Sequence, residues 1–494
     1  MEGLSKTTIR KGEIPGEDIR DPVPNSCWEI RMYRAEHRPQ LAFLETFLAE
    51  EMALSSTLAY WDERLNDPAV LALFAPHFSP DRGRPTIPLA TFVRLSVLRR
   101  LYDVGDEALI AEVRHNLQWR RFCHIPLHAP VPHPTTLVKL RQRLGPQVLH
   151  DLNAVLVQQA RHHRLIRGHR WRQDTTVVES DIHYPTDSRL LEDGVRGVTR
   201  IVRRLAAAGV AAAQGFRNRG RSIHRRILAI AKVSRRRTDA ARQDVRDLTA
   251  AIAARAGATL RAAQQILDTV QAQVGAVGNA APAALVRGRD RLTAATEVLE
   301  TVLTQTRQVL AGQTHLPDRV VSVVDPGARP IVKGKVGKPV EFGYKVAIDE
   351  VDDGFIVGWE TAVGNRPDIR FVTPALARHR RLFRRAPREA AMDRGYWDRD
   401  TVADLAGAHI YVAIPKRGKK SAARQAVERQ TRFRRLQRWR AGGEGRIGLV
   451  KRRYQLRRSR YRGESGTDWW VGMGILAANL EWMRHHEAHS RASA

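Results

Sequence analysis

The chain has 494 residues, 43% of them hydrophobic, and sets 83 Lys and Arg against 52 Asp and Glu for a formal charge of +31. So apolar a chain of this length buries real cores, which excludes intrinsic disorder, and so large an excess of base points to a nucleic acid, whose phosphates shed counterions when neutralised. Two cysteines, Cys27 and Cys123, exclude a disulfide framework or a site made mainly of thiolates, so the chain reads as intracellular; the first 40 residues hold no apolar leader core, so no signal peptide is expected, and with no run of roughly 18 apolar residues no membrane span is expected.

Residues 1–40 are polar and Pro-containing and are expected to form a flexible arm. From Leu41 the pattern turns helical, giving a helical N-terminal domain over 41–150. Its clearest stripe, Leu89, Phe92, Val93, Val97 and Leu101, follows Pro85 and Pro88. A break at 102–105 separates it from a second stripe at Leu109, Val113 and Leu117. A third helix follows the Pro-rich loop at 130–134 and runs through Leu137, Leu140 and Leu144, with Lys139, Arg141 and Arg143 expected on its outer side. Two short helices across a Gly-containing turn, followed by a basic one, fit a helix-turn-helix DNA reader, and equally a helical bundle with no DNA role.

After His163 the period changes. Residues 172–179 are rich in β-branched types and predict a strand with Asp174 in its middle, where a carboxylate is disfavoured unless it faces water or has a task. Residues 188–315 are Ala-rich and predict a long all-helical insertion of at least four helices, with breaks at Gly257 and at 278–282, suited to packing, dimer contact or DNA clamping. Strands are predicted to resume at 319–325, 340–348 and 355–363, the last two as a hairpin. A helix entered at 365–368, a short strand ending in Asp393, a helix over about 400–406, a strand at 409–414 and an apolar closing helix at 469–483 complete a mixed α/β layer fold, which occupies 165–187 and 316–483.

The most basic stretch, residues 416–462, holds 19 Lys or Arg and only two acids, Glu428 and Glu444. Asp174 and Asp393 lie on separate predicted strands and Glu444 in a predicted helix. Three acids assembled by a fold in this way are what a pair of Mg²⁺ ions needs, because hard carboxylate oxygens can hold two ions side by side for an in-line phosphoryl transfer. Without a metal or a basic partner the same acids would repel one another and raise each other's pKa.

The spacing of Arg440, Glu444 and Lys451, with three and six residues between them, resembles the Arg-Glu-Lys part of the Tyr-Arg-Glu-Lys signature of bacterial insertion-sequence transposases of the DDE class, in the insertion-sequence-four/five-like superfamily. Asp393-Arg-Gly-Tyr396 is similar to their second-Asp strand and Asp174-Thr-Thr to their first. Asp325-Pro-Gly-Ala with Phe342-Gly-Tyr-Lys345 resembles the segment between, and the stretch from Gly83 to Leu144 resembles the helical N-terminal domain of insertion-sequence-five-like members. The signature tyrosine falls at Gln437, and Trp439 and Tyr454 stand at the wrong offsets to replace it.

The resemblance covers most of residues 41–480 and implies a ribonuclease-H-like catalytic core in which Asp174, Asp393 and Glu444 bind two Mg²⁺ ions, with Mn²⁺ as a substitute. It implies cutting at the ends of an insertion sequence and transfer of the freed 3′ hydroxyl to target DNA, with Arg440 and Lys451 gripping phosphates. The implied partners are double-stranded DNA, as terminal inverted repeats and as target, and a second copy of the chain in a homodimer on two ends, in the bacterial cytoplasm at the nucleoid and without a membrane. Asp181 rivals Asp174 for its place, Asp398 rivals Asp393, and Glu428 and Glu464 rival Glu444, while Asp325 reads as a turn cap before Pro326. A domesticated DNA-binding protein without activity and a metal-dependent nuclease on the same core are the alternatives.

Overall fold

The computed structural model describes residues 31–32, 48, 50, 52–335, 338–352 and 354–492. Apart from Arg31 and Met32, the arm expected over 1–40 lies outside the described residues. Helices come first: α1 (Ser56–Leu65), α2 (Pro68–Ala72), α3 (Leu89–Leu101), α4 (Asp106–His115), α5 (Leu117–Phe122), α6 (Pro134–Leu144) and α7 (Gln147–His162). Their starts are written locally, since Ser55, Asp67 and Asn116 accept first-turn N–H groups and Pro134 opens α6. Arg141 does not face outward as expected. Its Nη1 donates to the Tyr461 hydroxyl at 2.7 Å, its guanidinium stands 3.8 Å from that ring's centroid, and Asp106 lies 3.6 Å away. A cation committed to an internal contact is not on offer to a phosphate, so the basic face of α6 is smaller than its sequence suggests.

Strand β1 (Arg170–Ser180) follows, and then four helices, α8 (Asp187–Ala207), α9 (Gly220–Val233), α10 (Asp239–Val277) and α11 (Ala283–Leu310), which bury their apolar stripes against one another. The chain turns at Gly278, where φ is +57°, but Gly257 does not break α10. A mid-helix glycine costs about 1 kcal/mol. Here packing overrides that cost, because Ala253, Ala256 and Leu260 around it are buried in the core of the insertion, and a Cβ on Gly257 would make only an ordinary 3.5 Å contact with Leu303. Close approach does need glycine between α8 and α11. Leu299 fills the hollow at Gly194 and Leu205 the hollow at Gly288, where a Cβ would stand only 2.7 and 2.4 Å away.

No strand forms at 319–325. Val320 gives its N–H to Gln305 Oε1 at 2.8 Å and its carbonyl accepts from Gln305 Nε2 at 3.3 Å, so a side chain of α11 takes the bonds that a neighbouring strand would have used. The remaining elements are β2 (Arg329–Lys335), β3 (Lys338–Val351), β4 (Phe355–Ala362), α12 (Val372–Phe383), β5 (Glu389–Ala391), α13 (Arg399–Gly407), β6 (Tyr411–Ala413), α14 (Ala422–Arg429), α15 (Thr431–Arg453), β7 (Arg458–Ser459) and α16 (Gly463–Ala492). The seven strands make one mixed sheet, so the protein is of the mixed α/β class. Strand β3 runs antiparallel to β1, β2 and β4, whereas β5 runs parallel to β1 and β6 parallel to β5.

From Trp469 to Met483, α16 is buried on all sides, as a helix apolar all round should be. It lies in one apolar cluster with the N-terminal helices and with β3 and β4. Gly472 permits the approach, since a Cβ there would stand 2.7 Å from Trp359 and 2.9 Å from Leu149. Asn479 accepts the Ile356 N–H at 3.2 Å and donates to the Ile356 carbonyl at 2.7 Å, so β4 finds hydrogen bonds on its outer side. Among the described residues no helix is long and apolar enough to cross a membrane.

Asp325 does more than cap a turn. It is buried, and its carboxylate accepts from Ser180 Oγ at 2.7 Å, from the Tyr344 hydroxyl at 2.5 Å and from the Gly463 N–H at 3.1 Å, which ties together β1, β3 and the start of α16. Asp325→Ala leaves those donors unpaired in the interior and is expected to cost about 3 kcal/mol, read as a lower urea midpoint.

Candidate active site

Alternation along β1 sends Trp171, Gln173 and Thr175 to one face of the sheet and Arg172, Asp174 and Thr176 to the other. Trp171 joins the cluster with Val372, Met392 and Tyr396 on the α12 side. The opposite face is roofed by α15, whose Phe433 and Leu436 pack on Ala391 and Ala413. Arg172 fixes where the roof crosses. Its Nη1 donates to the Trp439 carbonyl at 2.6 Å and its Nη2 to Glu350 Oε2 at 2.5 Å. Gly442 and Gly443 give it room, since a Cβ on either would stand 3.2 or 3.1 Å from the guanidinium. Two of the three glycines in this helix thus lie over the arginine that the strand beneath presents, whereas a Cβ on Gly445 would meet nothing within 4 Å. Glu350 is fully buried, and burial pushes it up to about 7 although Arg172 pulls the other way.

The parallel pairing of β1 with β5 bears on the first two acids. Arg170, Trp171 and Arg172 pair in parallel with Glu389, Ala390 and Ala391. Strand β5 ends at Ala391, and continued two residues further the same register would bring Asp393 across from Asp174 on the α15 face. Asp174 Oδ1 accepts the Thr175 N–H at 2.8 Å, and Asp393 Oδ1 accepts the Gly395 N–H at 2.7 Å.

A third aspartate stands here that the sequence pattern read only as part of a helix entry. Asp368 accepts from Thr175 Oγ1 at 2.9 Å and pairs with Lys345 Nζ at 2.6 Å. A Cβ on Gly395 would lie 2.9 Å from Asp393 Oδ1 and 3.2 Å from Asp368 Oδ2, so both carboxylates flank one glycine. The Tyr396 hydroxyl is buried and finds no hydrogen-bond partner among the described residues. Burial first, and then the charges of Asp368, Asp174 and Asp393, push this phenol well above its usual pKa, which marks the point where the three fields overlap. The signal available in the sequence was the charge pair itself, a lysine in the hairpin and an acid after it.

Glu444 lies on α15 with its side chain 66% exposed, its Oε1 3.5 Å from Arg440 Nη2. Two turns earlier Gln437, at the position of the signature tyrosine, donates to the Met392 carbonyl at 3.1 Å and to the Ala413 carbonyl, docking α15 on the strand ends next to Asp393. The helix thus docks next to Asp393 while the Glu444 carboxylate turns to solvent and to Arg440. Lys451 follows, half-buried, two turns along the helix. Among the described residues no group of three or more His, Cys, Asp or Glu side chains is arranged to hold a metal ion.

Asp181, Asp398 and Glu428, three of the rival acids, have local tasks. Asp181 is exposed at 3.4 Å from Arg458, and Asp398 caps α13 by accepting the Thr401 N–H at 3.0 Å. Glu428 is held by Arg424 at 3.0 Å and Lys420 at 2.5 Å.

Residues 51–143, which contain α1 to α5 and nearly all of α6, match the family described as Transposase domain (DUF772). An uncharacterized protein of Rhizobium meliloti, ORF8 in the nfe locus, is 30% identical over 140 residues, which cover 27% of this chain and 66% of that protein. No solved structure matches. A transposase-type domain therefore makes up much of the helical N-terminal part, and the association with transposases rests on it.

Proposed function

We propose that the chain is a DNA transposase that cuts at the ends of an insertion sequence and joins them to target DNA, acting through Asp174, Asp393 and Glu444 on a ribonuclease-H-like core. The observation that carries this reading is the parallel pairing of residues 170–172 with 389–391 beneath α15, a register that, continued two residues, would bring Asp393 across from Asp174. The transposase domain at 51–143 supports it. So does the strand order β4-β3-β1-β5-β6 with β3 alone reversed, the order expected of such a core, with the first acid on its first strand and the third on the helix after its last.

The donor set suits Mg²⁺, with Mn²⁺ as a substitute, because its oxygens are hard carboxylates. Bound by Asp174, Asp393 and Glu444, a pair of ions would activate the attacking oxygen and steady the leaving oxygen of an in-line phosphoryl transfer. The chain itself supplies position and charge. Lys345 neutralises Asp368, which sets that carboxylate apart from Asp174 and Asp393. Arg172 locks β1 to α15. Glu444 completes the set by giving up Arg440, and the released Arg440, with Lys451, grips the phosphates of duplex DNA. A homodimer holding two terminal repeats suits the joining of two ends.

The orientation of Glu444 favours a second reading, a protein that binds DNA and does not cut it. A labelled terminal-repeat duplex with Mg²⁺ or Mn²⁺ separates the possibilities. Cleavage confined to the repeat ends, followed by joining, is the expected result, whereas indiscriminate degradation means a nuclease and binding alone means an inactive relative. Glu444→Gln is expected to slow cutting on the order of a hundredfold or more, about 3 kcal/mol of transition-state stabilisation, with DNA affinity nearly unchanged. Equal cutting by that variant removes Glu444 from the mechanism.

A further inference from the structure

A dense, poorly balanced set of charges outside the candidate active site lies in the helical insertion. Arg196, Arg200, Arg203 and Arg204 recur at helical spacing along α8, Arg221 and Arg225 stand on α9, and all six are exposed. They line one groove of about 1090 Å³ between the two helices. Arg196 has an acid partner, Glu192 at 3.3 Å, which His224 shares at 2.9 Å. None of the other five has an ion pair or a hydrogen bond among the described residues. Residues 187–237 as a whole hold 14 Lys or Arg against three acids.

Such crowding is not explained by the packing of the helices. Their apolar sides, with Val195, Val198, Val202, Ile223 and Ile227, face the core of the insertion and would do so whatever stood outside. Unpaired guanidiniums along one groove repel one another, and a polyanion relieves that repulsion. From Arg196 to Arg204 the helix rises about 12 Å at 1.5 Å per residue, the axial length over which one strand of duplex DNA carries about three or four phosphates. No Phe, Tyr or Trp lines the groove, so it lacks the stacking platform by which single strands are held.

We propose that the groove between α8 and α9 binds the phosphate backbone of duplex DNA without reading its sequence. The choice of DNA rests on the transposase reading, whereas the anion site rests on the arginines alone. The full chain, with a chelator present and no divalent cation, is titrated against unrelated DNA duplexes of about 30 base pairs by fluorescence anisotropy over a series of salt concentrations, enough length to span several backbone phosphates. In the variant Arg200→Ala/Arg203→Ala/Arg221→Ala/Arg225→Ala the slope of log affinity against log salt is expected to fall by about 3, at roughly 0.9 for each phosphate that is no longer neutralised, and affinity is expected to weaken equally for all sequences. These side chains are exposed and unpaired, so circular dichroism should report an unchanged fold.

The control Arg380→Ala/Arg381→Ala/Arg384→Ala/Arg388→Ala removes the same charge from other exposed positions and is expected to keep the parent slope. An unchanged slope in the groove variant, or an equal fall in the control, overturns the proposal. A fall seen with an RNA duplex and not with DNA overturns the choice of DNA. Because no divalent ion is present, the result does not depend on Asp174, Asp393 or Glu444, so failure here and failure of the cutting assay are told apart.

Discussion

Arg172→Ala is expected to lower the free energy of unfolding by about 3–5 kcal/mol, because it strands a carboxylate in the interior. The side chains of Arg172 and Glu350 are only 8% and 3% exposed, and the pair joins β1, β3 and, through the Trp439 carbonyl, α15. The loss should depend on pH with a definite sign. Burial moves Glu350 from 4.5 up to about 7, so between those values the folded chain holds a proton that the unfolded chain has released, and the group's contribution to stability falls as pH rises through that window. Removing Arg172 takes away the influence that pulls Glu350 down, which extends the window upward. Urea unfolding should therefore show a larger deficit for the variant at about pH 8 than at about pH 5. Equal deficits would mean that lost packing, and not the unpaired charge of Glu350, is the cause.

Asp174→Asn and Asp393→Asn are each expected to slow end cleavage about a thousandfold, a loss near 4 kcal/mol, while DNA affinity stays within about twofold. The amide keeps the shape and an oxygen for the Thr175 or Gly395 N–H, so the fold should survive and the charge alone is tested. Asp368→Asn is the informative contrast. Its carboxylate is already matched by Lys345, so single-turnover cleavage should fall by about tenfold or less. Near-normal cutting by Asp393→Asn, together with a dead Asp368→Asn, would place the second acid at 368 and break the proposed set.

Asp174 was legible because a carboxylate in a β-branched run contradicts local preference, and the strand around it formed as the period predicts. Asp393 was legible as the acid just after a short apolar strand, and that strand pairs in parallel with β1 as far as Ala391. What escaped the sequence depends on how distant elements meet. Gly442, Gly443 and Gly445 weaken a helix in isolation, and only the presence of Arg172 beneath the first two shows why α15 keeps them free of side chains. Gly257 is read as a break until Leu303 is seen packed against it. The run at 319–325 has strand composition but lost its ladder to the side chain of Gln305. Arg141 was assigned to solvent by helical phase, and the aromatic ring of Tyr461 drew it inward. The direction of the Glu444 carboxylate is not encoded by spacing at all, since an exposed glutamate chooses its rotamer by its neighbours, here Arg440.

The bond between Ser180 and Asp325 joins positions 145 residues apart at a distance of 2.7 Å. Everything in between leaves the sheet and returns to it at nearly one point, like a tab on a garment. Chain-closure entropy changes by only about 0.6 kcal/mol when such an excursion doubles in length. The pairing of β1 with β5 is thus indifferent to how many helices hang there, and lineages sharing this sheet could lengthen, shorten or exchange that excursion while the two strands keep their register.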